Sequence, residues 1–298
     1  MPEFTMDMVR NWWLSTDGRA LHYKQTLGGR FTSNSDDKLR VYIGRLLNTE
    51  KLIEKDGSRE GVYRLIQELP APVDWQGVDS KQDFPILLPF GLRELVWIDN
   101  KTEIMVMGSK DSGKSGFLYS IVAMNMNDPR FHTVLLSNFE GGINQIKRRF
   151  DSMDINIPKP APFDMYHVTE NFHDYIKEPD TLYVIDYVDV PDSGEFFMIA
   201  PVLSKIQNKL RENSVAAIGL QKKKGVDLAF GGAQTVKKAS LSVAIDKTSP
   251  GTGKLKIITA KVPTNPLVDP VNMAWTFNYE NEGTKFTNLK QCNSVDEW

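Results

Sequence analysis

The chain has 298 residues, 41% of them hydrophobic and 25% charged, which supports one large domain or two ordinary ones and excludes a disordered or collagen-like polymer. The formal net charge of −2 does not mark the whole protein as a polyanion binder, but basic residues exceed acidic ones over 17–45 and again over 222–254, two local surfaces suited to a phosphate-rich partner. With one cysteine, Cys292, only 4 histidines, no apolar run of membrane-spanning length and no signal-like segment over 1–11, the expectation is a cytoplasmic protein without disulfides, a zinc site or a membrane partner.

In chain order, Met8, Val9, Trp12 and Trp13 fall on one face of a helix over 6–15. Ser35 followed by Asp36 and Asp37 reads as a helix start, and Leu39, Ile43, Leu46 and Leu47 continue it. Residues 52–55 and 62–66 read as two strands around a turn containing Gly57 and Gly61. A segment rich in Pro, Gly, Asp and Ser follows. The expected organisation is a small domain over 1–69, a linker over 70–84, an α/β domain over 85–283 and a tail over 284–298. Within the α/β domain, strands are expected at 104–107, 133–136, 181–185, 215–220, 241–245, 256–262 and 274–277. Helices are expected at 114–126, 143–150 and 196–212. Short apolar strands separated by helices predict a mostly parallel sheet covered on both faces.

The sharpest local signal is Gly108-Ser109-Lys110-Asp111-Ser112-Gly113-Lys114-Ser115, a complete G-x-x-x-x-G-K-[ST] between an apolar strand and a helix that continues through Gly116. Glycines let backbone N–H groups turn toward phosphate oxygens. Lys114 reaches the β- and γ-phosphates, and Ser115 offers a hydroxyl to Mg²⁺. Asp186, at the end of an apolar strand, is the expected second anchor for Mg²⁺, with Asp189 as its competitor. Glu140, a few residues past the strand at 133–136, is placed to orient the attacking water, with Asp189 and Asp192 as alternatives. Gln221, at another strand end, is placed to sense the γ-phosphate.

Helices followed by a hairpin suggest a winged helix, and 46–65 resembles the passage from recognition helix to wing. That resemblance implies duplex DNA binding, through Arg40 and Arg45 on the helix and Arg59 on the wing, with protein contacts as the other use of such a domain. The α/β part resembles the RecA-like motor of DnaB-type replicative helicases. The resemblance is carried by Leu136-Ser137-Asn138-Phe139-Glu140, Val184-Ile185-Asp186-Tyr187-Val188, Gly219-Leu220-Gln221-Lys222-Lys223 and Ile257-Ile258-Thr259-Ala260-Lys261, in family order over 88–279. It implies an ATP- and Mg²⁺-dependent hydrolase of a replication or mobile-element system, assembled as a homo-oligomeric ring such as a hexamer, or as a filament. Single-stranded DNA would meet the loop at Lys222, Lys223 and Lys224. The family's Lys-x-Arg finger is replaced by Lys261-Val262-Pro263, and Arg211 is the last arginine in the chain. A finger supplied to the neighbouring subunit would therefore be a lysine, Lys261 or else Lys224. That departure keeps a second reading open, a nucleotide-switched DNA-binding loader or scaffold that does not translocate.

Overall fold

The computed structural model describes residues 5–27, 36–77, 79, 83–189 and 198–292. The chain divides into two compact units, Met1–Val78 and Asp79–Trp298.

The first unit runs α1 (Met6–Leu14), β1 (Leu21–His22), α2 (Tyr23–Leu27), α3 (Asp36–Asn48), β2 (Ile53–Lys55) and β3 (Val62–Leu65). Thr5 caps α1 by accepting the Met8 N–H, which satisfies one of the free donors of the first turn. Val9 and Trp13 on α1, and Leu39, Ile43 and Leu46 on α3, recur at helical spacing. They bury one core with Tyr23, Leu27, Ile53 and Leu65. The strands pair antiparallel in the order β1-β3-β2. Both β1 and α2 are too short to carry a hydrophobic period, which is why the sequence did not announce them. Ser35 lies outside the described residues. Arg40 and Arg45 are exposed on α3, and Arg59 is exposed in the β2–β3 turn. Five helical residues turn the backbone by about 140°, so the two arginines point to different sides of α3.

The second unit begins before the expected end of the linker. The Phe84 N–H donates to the Ile98 carbonyl at 2.7 Å, and Phe84, Ile86 and Leu88 are buried in the core. Its main elements are β4 (Thr102–Gly108), α4 (Lys114–Asn125), β5 (His132–Ser137), α5 (Ile143–Asp151), β6 (Asp164–His167), β7 (Thr181–Val188), α6 (Ile199–Lys209), β8 (Val215–Gln221), β9 (Leu241–Ser249), β10 (Thr252–Ala260), β11 (Ala274–Glu280) and β12 (Lys285–Gln291). The nine strands form one sheet in the order β12-β11-β10-β9-β4-β8-β7-β5-β6. From β9 to β6 every neighbour is parallel, and β10, β11 and β12 add antiparallel. The central strands read as continuous apolar runs because both faces are covered. Ile104 and Val106 join α4 and α5 residues in one core layer; Met105 and Met107 face α6 in the other.

Three expectations are corrected. The late strand is β10, at Thr252–Ala260, and Lys261 lies beyond it. A tight turn with Gly251 at φ 76° starts the strand among polar residues, and the Lys261 N–H turns to the Ser240 carbonyl at 2.8 Å. The expected tail over 284–298 contributes β12, anchored by Phe286 against Phe90 and Phe277 at ring separations of 5.3 and 5.2 Å. The helix expected over 196–212 is α6, which ends where Leu210 turns extended at ψ 129° to bury its side chain; positions 196 and 197 fall outside the described residues. No described helix is long and apolar enough to cross a membrane.

Candidate functional site

Sheet register builds the site. Gly108 of β4 pairs with Gln221 of β8, and Ser137 of β5 pairs with Asp186 of β7. Four parallel strands thus end together along their carboxyl edge, the place where open α/β sheets hold ligands. The loop from Ser109 to Gly113 leaves β4 there, with Asp111 at φ 59° and Gly113 at φ 89°, and α4 starts at Lys114. A Cβ at Gly113 would lie 2.4 Å from the Tyr279 ring as well as in the left-handed region. The Tyr279 hydroxyl donates to the Ser112 carbonyl and so fixes the outer side of the loop.

Inside this curve, the Lys114 Nζ donates to Gln221 Oε1 at 3.0 Å and lies 4.2 Å from the centre of the Tyr187 ring. The Ser115 hydroxyl donates to Asp186 Oδ1 at 3.1 Å. Burial lowers the Lys114 pKa, opposed by the charges of Asp186, Glu140 and Asp189. Burial raises that of Asp186, opposed by the Tyr119 and Ser115 hydroxyls and by Lys114 and Arg149. The Tyr187 hydroxyl is pushed up to about 12 by burial first, and then by Glu140, to which it is hydrogen-bonded, and Asp189. Glu140 itself is exposed at the rim, and its N–H bonds to Asn138 Oδ1 at 3.1 Å.

These groups line one cavity of about 790 Å³, which also takes in Gln145 and Arg149 of α5, Lys247 of β9, and Gly251, Tyr279 and Gly283. Its volume lies in the range of small-molecule sites. The residues fit a phosphate chain with a magnesium ion. Ser112 Oγ is buried without a partner within the loop, and glycine backbone faces the cavity. Ser115 and Asp186 supply a hydroxyl and a carboxylate, the sparse protein ligation magnesium accepts when phosphate and water complete its shell. Among the described residues no group of three or more His, Cys, Asp and Glu could hold a metal by itself.

The structure therefore brings together Lys114, Ser115, Glu140, Asp186 and Gln221 with the loop residues Gly108 to Gly116. Asp189 lines the same cavity, while Asp192 lies outside the described residues. Lys261 is not brought to this cavity. Ala260 pairs with Leu241 and Leu241 with Ile104, so Lys261 follows at the far end of the sheet from Gly108. Lys222 is corrected: its side chain is buried, with Nζ bonded to Asp246 Oδ2 at 2.6 Å and to the Val226 carbonyl at 2.8 Å, so it is not available to a DNA phosphate. Lys223 and Lys224 are exposed. Sequence reasoning missed Tyr119, Arg149, Lys247 and Tyr279. Tyr119 sits one helical turn past Ser115, a detectable spacing, whereas the others arrive through register and packing.

No protein-family model matches the chain, and no curated protein matches it. Among solved structures it is similar to a DnaB-like replicative helicase described with its interactions with primase, at a TM-score of 0.50 and 14% identity, over 72% of this chain and 66% of that one. It is also similar to the RadB recombinase, at a TM-score of 0.43 and 13% identity, over 62% of this chain and 90% of that one. At such identities the likeness to the helicase establishes the fold alone: a mostly parallel α/β sheet flanked by helices, of the RecA-like kind.

Proposed function

We propose that the protein is a cytoplasmic Mg²⁺-dependent ATPase acting on DNA. The observation that carries this is the pairing of Gly108 with Gln221 and of Ser137 with Asp186, which sets Lys114–Gln221 and Ser115–Asp186 side by side in one cavity. Lys114 neutralises the β- and γ-phosphates. Glu140 accepts the proton of the attacking water. Ser115 and Asp186 would hold magnesium, which supplies charge neutralisation at the phosphates when bound. Gln221 leaves Lys114 for the γ-phosphate and passes that change to the exposed Lys223 and Lys224, the contacts for single-stranded DNA.

The first unit is read as a winged helix that binds duplex DNA. Support comes from its order of three helices and three strands, the antiparallel β1-β3-β2 sheet, and exposed Arg40, Arg45 and Arg59. The likeness to a DnaB-like replicative helicase supports a place in replication or a mobile element, in a ring-shaped homo-oligomer such as a hexamer with Lys261 offered to a neighbour's site. One observation favours a non-translocating loader or scaffold: no arginine follows Arg211 to serve as a finger. Magnesium-dependent ATP turnover by the full chain, with and without single-stranded DNA, tests the proposal. Stimulated turnover supports a motor, nucleotide binding with negligible turnover supports the switch, and absence of both rejects the ATPase.

A further inference from the structure

Glu103 is an anomaly in the sheet. It is the second residue of β4, on the face that Met105 and Met107 present to α6, in an apolar layer to which α6 contributes Ile199, Leu203 and Ile206. Glu103 is 1% exposed, and its Oε1 is buried with no hydrogen-bond partner. An isolated buried carboxyl is costly, and such groups are ordinarily paired. Ser242 Oγ, on the same face of neighbouring β9 and in register with Met105, is likewise buried without a partner.

Glu103 does not face solid core. It lines a cavity of about 290 Å³ with Pro201 and Ser204 of α6, Thr235 of a 3-10 turn, and Lys237 and Lys238. Both lysines are exposed at its rim. Lys238 is close enough for its charge to act on Glu103. Its backbone is tethered beside the carboxyl: two residues on, the Ser240 N–H donates to the Glu103 carbonyl at 2.9 Å, and the Ser240 and Thr102 hydroxyls lie 2.7 Å apart. A carboxyl on the floor, an ammonium at the mouth of the same cavity and a short tether between them make an intramolecular docking site.

We propose that this cavity is a latch: the Lys238 ammonium enters it and pairs with Glu103. Pairing in a site already sheltered from water is intramolecular, so little chain freedom is lost on closing. Closing adds a side-chain tie to the backbone bond by which Ser240 already holds the far end of the 222–239 segment to the central strand β4. The near end of that segment is Gln221, which is bonded to Lys114. The latch thereby limits movement of the 235–239 end of that segment, and this role adds to the ATPase reading without depending on it.

The test uses the full chain without nucleotide, as wild type, Glu103→Gln, Lys238→Met, the double variant and Lys237→Met. Glu103→Gln keeps the shape and cannot ionise, so it should fold, and Glu103→Met serves should it not. Two quantities are read: melting temperature, and the acylation rate of each lysine by mass spectrometry. With a latch, Lys238 reacts about tenfold more slowly than Lys237 in wild type, and Glu103→Gln brings the two rates together. Lys238→Met lowers the melting temperature by a few degrees in wild type but not in the Glu103→Gln background, the scale of about 1 kcal/mol. Lys237→Met shows no such dependence. Equal reactivity of the two lysines in wild type, or additive melting shifts in the double variant, overturns the proposal.

Discussion

Lys114 donates to Gln221 across 3.0 Å, joining the first residue of α4 to the last residue of β8. In that arrangement the amide oxygen takes one of the three donors of the ammonium and leaves two for phosphate, so Gln221 is tied to the residue proposed to meet the γ-phosphate. Gln221→Ala removes the proposed relay. The expected outcome is that the ratio of DNA-stimulated to basal ATP turnover falls toward one, measured at saturating ATP. A ratio equal to wild type would show that the coupling runs elsewhere.

Glu140→Gln keeps the size of the side chain and its capacity to accept the Tyr187 hydroxyl, but removes the proposed base. Turnover is expected to fall by about a hundredfold or more while the affinity for ATP with magnesium stays within about threefold, a split read by single-turnover kinetics and a binding titration. If affinity collapses with turnover, Glu140 holds the nucleotide; if turnover survives, Asp189 in the same cavity becomes the base.

Gly116 sits in the first turn of α4 against the β11–β12 turn, where an added Cβ would lie 1.8 Å from the Gly283 carbonyl oxygen. That atom is backbone and cannot swing aside. Gly116→Ala is expected to destabilise the second unit by about 2 kcal/mol or more, seen as a lowered denaturation midpoint. By contrast, Gly283→Ala meets no atom within 4 Å and carries only the strain of φ 81°. A Gly116→Ala protein as stable as wild type would mean that this turn does not rest on α4.

Much of the site was legible in sequence because it is local. The phosphate loop is a contiguous signature, and Asp186 and Gln221 could be placed at strand ends because an apolar run stops beside each. What escaped was set by register across long separations. Lys222 reads as one of three exposed lysines until Asp246, 24 residues later, buries it. Tyr279 reaches the loop only because β11 lies two strands from β9, and β12 went unread because its apolar residues Phe286 and Leu289 stand three apart and give no alternating signal. Glu103 carries no spacing signal at all: one acidic residue in an apolar strand does not show whether a partner waits for it.

Glu103 also gives the protein a pH dependence. Burial pushes its carboxyl up to about 8 from 4.5, with Lys238 opposing, while Lys237, Ser204, Gln234 and Thr235 line the same cavity. A carboxyl whose folded pKa exceeds its unfolded one binds more protons when folded, so stability is lost as pH rises from 4.5 toward 8. In Lys238→Met, which cannot latch, unfolding free energy is expected to fall across that window by up to about 1.4 kcal/mol per pH unit, and adding Glu103→Gln should flatten the slope. Parallel pH profiles for the two proteins would place the Glu103 pKa near its unfolded value.

Lys114 and its loop are proposed to bind and turn over a nucleoside triphosphate. The most direct measurement is magnesium-dependent ATP hydrolysis by the full chain beside Lys114→Ala, each checked for native folding by circular dichroism. Lys114 contacts Gln221 and Tyr187 inside the cavity, past the carboxyl ends of the strands, so its loss should leave the sheet intact. Measurable turnover is expected in wild type, with a loss of about a hundredfold or more in Lys114→Ala. A folded Lys114→Ala protein with wild-type turnover, or a folded wild type that binds no nucleotide, would contradict it.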